Sequence, residues 1–217
     1  MSLELIPTDD GSFTFYRADI DETYHSRHGA KQESQYVFID KGLKHYYNLH
    51  KPEIIRIFEV GFGTGLNALL TLEQAPCKID YKGVEKFPID NETHKSWLNQ
   101  MDLDQQIGSS VIDFDWDKKC AYKDHFIHKS SKDLFDFETQ DNAFDLIYFD
   151  AFGFRAQEEM WTSEVCQYMH QILDTNGVLV TYAAKGLVRR NLESAGFVCE
   201  RLEGPPGKRE MLRATKI

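Results

Sequence analysis

The sequence predicts an α/β domain built on a doubly wound, mostly parallel sheet that closes with an antiparallel C-terminal strand and carries a short β-rich extension in front. Three observations point there. From residue 54 onward, apolar runs rich in β-branched and aromatic residues alternate with helical stretches. A glycine loop joins the first of these runs to a helix, and the last twenty residues read as strand, Gly-Pro-Pro-Gly turn and strand with no helix between. A chain of 217 residues fits one such domain and is long enough to bury a full core.

The elements follow in order. Residues 1–50 are expected to form an N-terminal extension packed on the main domain, with β-prone pieces at 13–16 and 36–39 separated by polar sequence. The main domain, 51–217, has strand-like runs at 54–60, 79–84, 144–149 and 178–182, and a weaker one at 125–128. Helices are expected at 66–73, 91–99, 158–173 and 187–195. No internal repeat or Pro/Ser linker divides the chain.

The glycine loop lies in FEVGFGTGLNALL, residues 58–70. Gly61, Gly63 and Gly65 let a ligand approach the backbone closely, and the amides opening the next helix favour an anionic or strongly polar group. The dinucleotide fingerprint GxGxxG would place glycine at 66, where this chain has Leu66; the spacing here is GxGxG, common in S-adenosylmethionine sites. Glu85, at the end of the next apolar run, is placed to accept both ribose hydroxyls of an adenosine. Asp133 stands where a side chain could meet the adenine; a helix cap is the other reading, and Asp136 is a rival. The antiparallel last strand is typical of class I methyltransferases and favours methyl over hydride transfer.

FDLIYFDAFGFR ends an apolar strand in Asp150 and places Phe152 and Phe154 in the following loop. Strand carboxyl ends face the ligand crevice in doubly wound folds, so Asp150 is expected beside the reacting group, with an aromatic face to receive a planar base or a cation.

Net charge is −10, but residues 183–217 hold eight Lys and Arg against four Glu, a balance of +4 that leaves −14 on the rest. A basic tail on an acidic body suits a phosphate-bearing ligand. The four cysteines lie far apart with no CxxC pair, and neither His25/His28 nor His125/His128 completes a metal set, so no metal is expected. The start, MSLELIPTDD, lacks an export signature and no window approaches ~18 apolar residues. No membrane association is expected, and the cytoplasm is the expected location.

Together, EVGFGTGLN (59–67), VEKFP (84–88), FDAF (149–152) with EMW (159–161), VRR (188–190) with AGF (195–197), and GKREML (207–212) resemble the methyltransferase half of the MnmC family, also found alone as MnmD and of the DUF752 type. The resemblance spans about residues 33–213. It implies S-adenosylmethionine-dependent methylation of the primary amine of 5-aminomethyl-2-thiouridine at the tRNA wobble position. By position in those motifs, Glu59, Gly61, Gly63, Gly65, Asn67, Glu85, Asp133 and Asp150 are candidate cofactor residues, and Asp150 and Phe152 candidate catalytic ones.

Lys185, Arg189, Arg190, Lys208 and Arg209 are candidates for the phosphates of the anticodon stem-loop. Two departures stand out: Phe154 and Glu158 occupy loop positions where the family usually has prolines. The family's flavin-dependent oxidase half has no room here, so no FAD domain is expected and a separate enzyme could supply the aminomethyl precursor. Rival readings are a nicotinamide-dependent dehydrogenase, an aminopropyl transferase and a non-catalytic RNA-binding module.

Overall fold

A computed structural model describes residues 3–217. Strands β1 (Leu3–Pro7), β2 (Phe13–Arg17) and β3 (Glu22–Thr23) make a small antiparallel sheet in that order. A continuous helical arm follows: α1 (Ala30–Ser34), a π-helical stretch (Gln35–Leu43) and α2 (Lys44–His50), stopped by Lys51 in the left-handed conformation and by Pro52. The strand expected at 36–39 is therefore helix. A short apolar run cannot be told from a buried helical segment by periodicity alone, and here Val37, Phe38 and Ile39 are all fully buried. Gly42 lets the arm settle on the sheet, since a Cβ there would lie 3.0 Å from Val180 Cγ2 and 3.3 Å from Tyr148 Cε1.

The main sheet is built from β4 (Ile54–Val60), α3 (Leu66–Glu73), β5 (Lys78–Val84), α4 (Asn91–Leu98), α5 (Gln105–Asp113), β6 (Lys119–Tyr122), β7 (His125–Ser130), β8 (Phe144–Phe149), α6 (Ser163–Ile172), β9 (Leu173–Thr181), α7 (Gly186–Ser194), β10 (Phe197–Glu203) and β11 (Glu210–Lys216). Its order is β10-β11-β9-β8-β4-β5-β7-β6. The strands β9, β8, β4, β5 and β7 are mutually parallel, whereas β11 runs antiparallel to both of its neighbours. This is the doubly wound sheet with an inserted antiparallel last strand that the sequence predicts.

The expected helix at 158–173 is broken at Thr162. A 3₁₀ turn (Glu158–Trp161) comes first, then the Thr162 hydroxyl caps α6 by accepting from the Val165 amide. Helix α5, capped by Asp104, and the edge strand β6, hairpinned to β7, were not anticipated.

Both faces of the central strands are covered, so β8 is buried along its whole length and β4 along most of it. Along β4 and β8 the residues alternate between two cores. Ile57, Leu146 and Tyr148 pack with the helical arm, α3 and α5, while Phe58, Ile147 and Phe149 pack with α6 and α7. At the end of the sheet away from the glycine loop, Arg56 Nη2 contacts Asp145 at 2.5 Å and Asp174 at 2.8 Å, tying β4, β8 and β9 together.

Because Phe38 sits in the same core as β8 and β9, Phe38→Ala is expected to destabilise the whole molecule by about 3–5 kcal/mol. Urea unfolding followed by circular dichroism and by tryptophan fluorescence should give coincident transitions displaced together. A main transition left in place would mean that the arm folds separately.

Candidate active site

The strand order reverses between β4 and β8, and a doubly wound sheet opens its ligand crevice at the carboxyl ends beside such a switch point. A cleft of about 230 Å³ lies there, walled by the segments that follow β4, β5, β7, β8 and β9. A further wall, unforeseen from sequence, comes from the N-terminal region through Arg17, Tyr24 and His25.

Gly61, Gly63 and Gly65 all have positive φ, of 83°, 51° and 71°. At Gly61 the need for glycine is steric as well as conformational: a Cβ would stand 2.6 Å from the Asp150 carbonyl oxygen. The loop is held to the next strand by the Gly61 and Phe62 amides, which both donate to the Val84 carbonyl, at 3.1 and 3.0 Å.

Glu85 follows β5 and lines the cleft. Its Oε2 accepts from the Gly63 amide at 3.0 Å and its Oε1 from the Phe87 amide at 2.9 Å. Burial pushes its pKa above the ordinary value, partly offset by those two amides and by the Arg17 charge. A carboxylate oxygen has a second lone pair, so both remain able to take ribose hydroxyls. Asp133 also lines the cleft, and it caps a 3₁₀ turn (Leu134–Asp136) by accepting from the Phe135 amide, as the helix-cap reading expects. Burial raises its pKa, but the ammonium of Lys86 at 2.7 Å and the turn's amides outweigh that and leave it below the ordinary value. Asp136 is not among the cleft-lining residues.

Asp150 follows β8, and its position depends on one amide. Asn67 Nδ2 donates to Asp150 Oδ2 and to Glu59 Oε1, each at 2.8 Å. Glu59 is wholly buried, and its Oε2 and the Asn67 Oδ1 have no hydrogen-bond partner. Burial drives the pKa of both acids well up, with Glu33 adding to the effect on Asp150 and Asp150 to that on Glu59. Glu59, Gly65 and Asn67 do not line the cleft; Asn67 links Glu59 to Asp150 from behind its wall.

The loop beyond Asp150 is fixed by hydrogen bonds rather than prolines. The Phe152 amide donates to Gln157 Oε1 at 2.9 Å, Trp161 Nε1 to the Phe152 carbonyl at 2.9 Å, and the Tyr182 hydroxyl to the Ala151 carbonyl at 2.7 Å. Arg155 reaches Asp21 and Glu22 of the N-terminal region. The Phe152 ring meets Tyr24 edge-on at 5.2 Å, and the Arg17 guanidinium lies 5.7 Å from the Phe152 centroid and 6.0 Å from that of Phe87.

The five basic candidates part company. Lys185, Arg190 and Arg209 are exposed, whereas Arg189 is half-buried and pairs with Glu193 at 3.4 Å. Lys208 is turned inward onto the buried Glu33, so it is not presented to a phosphate as expected. The histidines have other partners. His25 Nε2 shares a hydrogen bond with Thr64 Oγ1 at 2.8 Å, and burial lowers its pKa to about 4, leaving the ring neutral at pH 7. His28 meets Asp9, and His125 Nδ1 accepts from the Ile79 amide.

Residues 121–217 match the model of a family described as S-adenosyl-L-methionine-dependent methyltransferase. The chain is 26% identical over 216 residues to the tRNA 5-methylaminomethyl-2-thiouridine biosynthesis bifunctional protein MnmC of Nitrosospira multiformis, and 29% identical over 212 residues to the protein of that name from Idiomarina loihiensis. These alignments take in 91% and 88% of this chain but only 34% and 35% of those proteins, so the chain spans about a third of the length of the curated relatives it matches.

Among solved structures, MnmC2 from Aquifex aeolicus superposes with a TM-score of 0.76 at 22% identity, over 98% of this chain and 70% of that one. Spermidine synthase from Thermotoga maritima gives 0.64 at 15% identity, over 99% and 69%. At these identities the superpositions speak for the fold alone, a mostly parallel sheet with an inserted antiparallel strand near its end.

Gly61→Ala is expected to strain the loop by about 1–3 kcal/mol and to displace the Asp150 backbone. Titration calorimetry with S-adenosylhomocysteine should show affinity lowered at least about tenfold while the circular dichroism spectrum is retained. Wild-type affinity in this variant would show that the close approach does not shape the site.

Proposed function

We propose that this chain, whose residues 121–217 match the S-adenosyl-L-methionine-dependent methyltransferase family, methylates the primary amine of a 5-aminomethyl-uridine at the tRNA wobble position. With a 2-thiouridine, the product is 5-methylaminomethyl-2-thiouridine. The observation that carries the reading is the placing of two half-buried carboxyls, Glu85 after β5 and Asp150 after β8, on either side of the glycine loop after β4 in one cleft. Similarity to the MnmC proteins along nine-tenths of the chain supports the choice of acceptor.

The residues present fit the cofactor. Gly61 and Gly63 leave the loop without side chains where the ligand approaches, Glu85 has lone pairs for the ribose, and Asp133 with Leu134 and Phe135 lines the adenine end. When bound, S-adenosylmethionine supplies a methyl made electrophilic by its sulfonium.

Asp150 does the work on the acceptor side. An alkyl ammonium, with a pKa near ~10 by analogy with lysine, is not nucleophilic until it loses a proton. Asp150 orients the ammonium by charge and accepts or relays that proton, for which its raised proton affinity suits it better than an ordinary carboxylate. Phe152 and Tyr24 offer ring faces and edges to the uridine and limit water. Lys185, Arg190 and Arg209 are free to hold anticodon-stem phosphates, with Arg189 contributing once it leaves Glu193. Among the described residues no helix is long and apolar enough to cross a membrane.

Incubation with labelled S-adenosylmethionine and tRNA lacking the methylaminomethyl group, followed by nucleoside mass analysis, is expected to yield labelled 5-methylaminomethyl uridine. Label elsewhere would discard the acceptor, and an aminopropyl product from decarboxylated cofactor would move the chain to the spermidine synthase class.

Asp150→Ala should lower turnover by about 10²–10⁴-fold with cofactor affinity nearly unchanged. In the wild type the carboxylate form is lost as pH falls through the raised pKa, so the acid limb of the rate profile should lie above the ordinary carboxylate range and vanish in Asp150→Asn. Exchanging Lys185, Arg190 or Arg209 for Ala should each reduce the slope of log tRNA affinity against log salt by about one. An unchanged slope in all three would place the tRNA elsewhere.

A further inference from the structure

One charged pair inside the molecule has no part in this scheme. Lys208, in the turn between β10 and β11, pairs through its ammonium with Glu33 of α1, 175 positions away in sequence. Glu33 is 7% exposed, and its other oxygen accepts from the Ser26 amide at 2.9 Å. The same ammonium lies 3.6 Å from the centroid of the Tyr182 ring. Tyr182 lines the cleft and donates its hydroxyl to the carbonyl of Ala151, the residue after Asp150. The pair is thus linked through one ring to the backbone carbonyl of the residue that follows Asp150.

A buried ion pair is a weak means of stabilising a fold, because desolvation offsets the Coulomb gain. Its effect is larger on a third group nearby. Asn67 of α3 joins Asp150 to Glu59 of β4, and the charges that bear on Asp150 from other elements are Glu33 of α1, which raises its pKa, and Lys208, which lowers it, while Asp150 in turn bears on Tyr81 of β5 and Tyr182 after β9. Three carboxyls therefore share one neighbourhood, and Lys208 is the cation among these groups.

We infer that Glu33 and Lys208 are positioning residues for the acceptor carboxylate: Lys208, anchored by Glu33 and seated on Tyr182, holds Asp150 in place and sets its charge for an incoming amine. The role toward the amine rests on the reading of Asp150 given above; the electrostatic coupling does not. A structural pair would tolerate or resent the loss of either partner alike. A charge-setting pair responds with opposite signs. Lys208→Met leaves Glu33 facing Asp150 uncompensated and raises its proton affinity, whereas Glu33→Gln leaves the ammonium alone and lowers it.

The test is titration of Asp150 by carbon NMR in protein labelled at the aspartate carboxyl, with Asp150→Asn for assignment. At an effective dielectric of about 20, a unit charge several ångströms away should move the midpoint by on the order of one pH unit, about tenfold in proton affinity. The expected result is an upward shift in Lys208→Met, a downward shift in Glu33→Gln, and a near-wild-type midpoint in the double variant. The acid limb of the methyl-transfer profile should move with it. Shifts of one sign in both single variants, or none in either, would overturn the inference.

If Lys208→Met does not fold, the comparison of Glu33→Gln with the double variant decides, since removing Lys208 from that background must raise the midpoint. Opposed shifts in a protein that transfers no methyl to tRNA would uphold the coupling and sink the proposed acceptor. Methyl transfer without opposed shifts would do the reverse.

Discussion

The close approach of two backbones, at Gly61 and Asp150, governs the arrangement of the crevice. Strands β4 and β8 pair in parallel as far as Val60 and Phe149, and the Asp150 amide still donates to the Val60 carbonyl at 3.0 Å. One residue further on, any side chain at position 61 would collide with the Asp150 carbonyl. The glycine therefore allows a ligand near and also lets the acid-bearing strand end stay alongside the loop. Asn67 then spans the gap, and the distance it spans follows from that contact.

Concentrating acids here has an energetic cost, because a buried carboxyl is disfavoured in its charged form. Glu59 is met by a single hydrogen bond from Asn67, with one oxygen left unpartnered. Its pKa and that of Asp150 are both pushed up by burial, and the two hydrogen bonds from Asn67 offset part of that cost for each. The N-terminal wall limits solvent on the other side. His25 bonds Thr64 beside the glycine loop, Tyr24 lies against Gly63, and Trp97 Nε1 donates to the Phe13 carbonyl to fasten the small sheet to α4. The segment from Phe13 to His25 thus borders the cleft as well as completing the fold.

What could be read in the sequence followed from local pattern. The runs at β4, β5 and β8 are apolar because both faces of the sheet are covered, and the glycines of the loop mark backbone that must turn with positive φ. Glu85 and Asp150 were legible as the acids at strand ends.

The remainder needed three dimensions. The run at 36–39 is apolar on every side whether strand or helix, and only the sheet it covers decides between them. Arg17, Tyr24 and His25 come from a small sheet whose docking has no local signature. Lys208 sits in a basic stretch, yet charge counting carries no direction, and its ammonium turns toward a glutamate far away in sequence.

The placing of β11 bears on the order of assembly. It is made after β10 but lies between β10 and β9, so β10 has no edge to join until residues 210–216 have left the ribosome. A nascent chain that already holds the glycine loop, Glu85 and Asp150 would carry an unfinished sheet edge at β9. The turn bearing Lys208 is part of this final insertion, so the buried Glu33 would gain its cation only as the sheet closes.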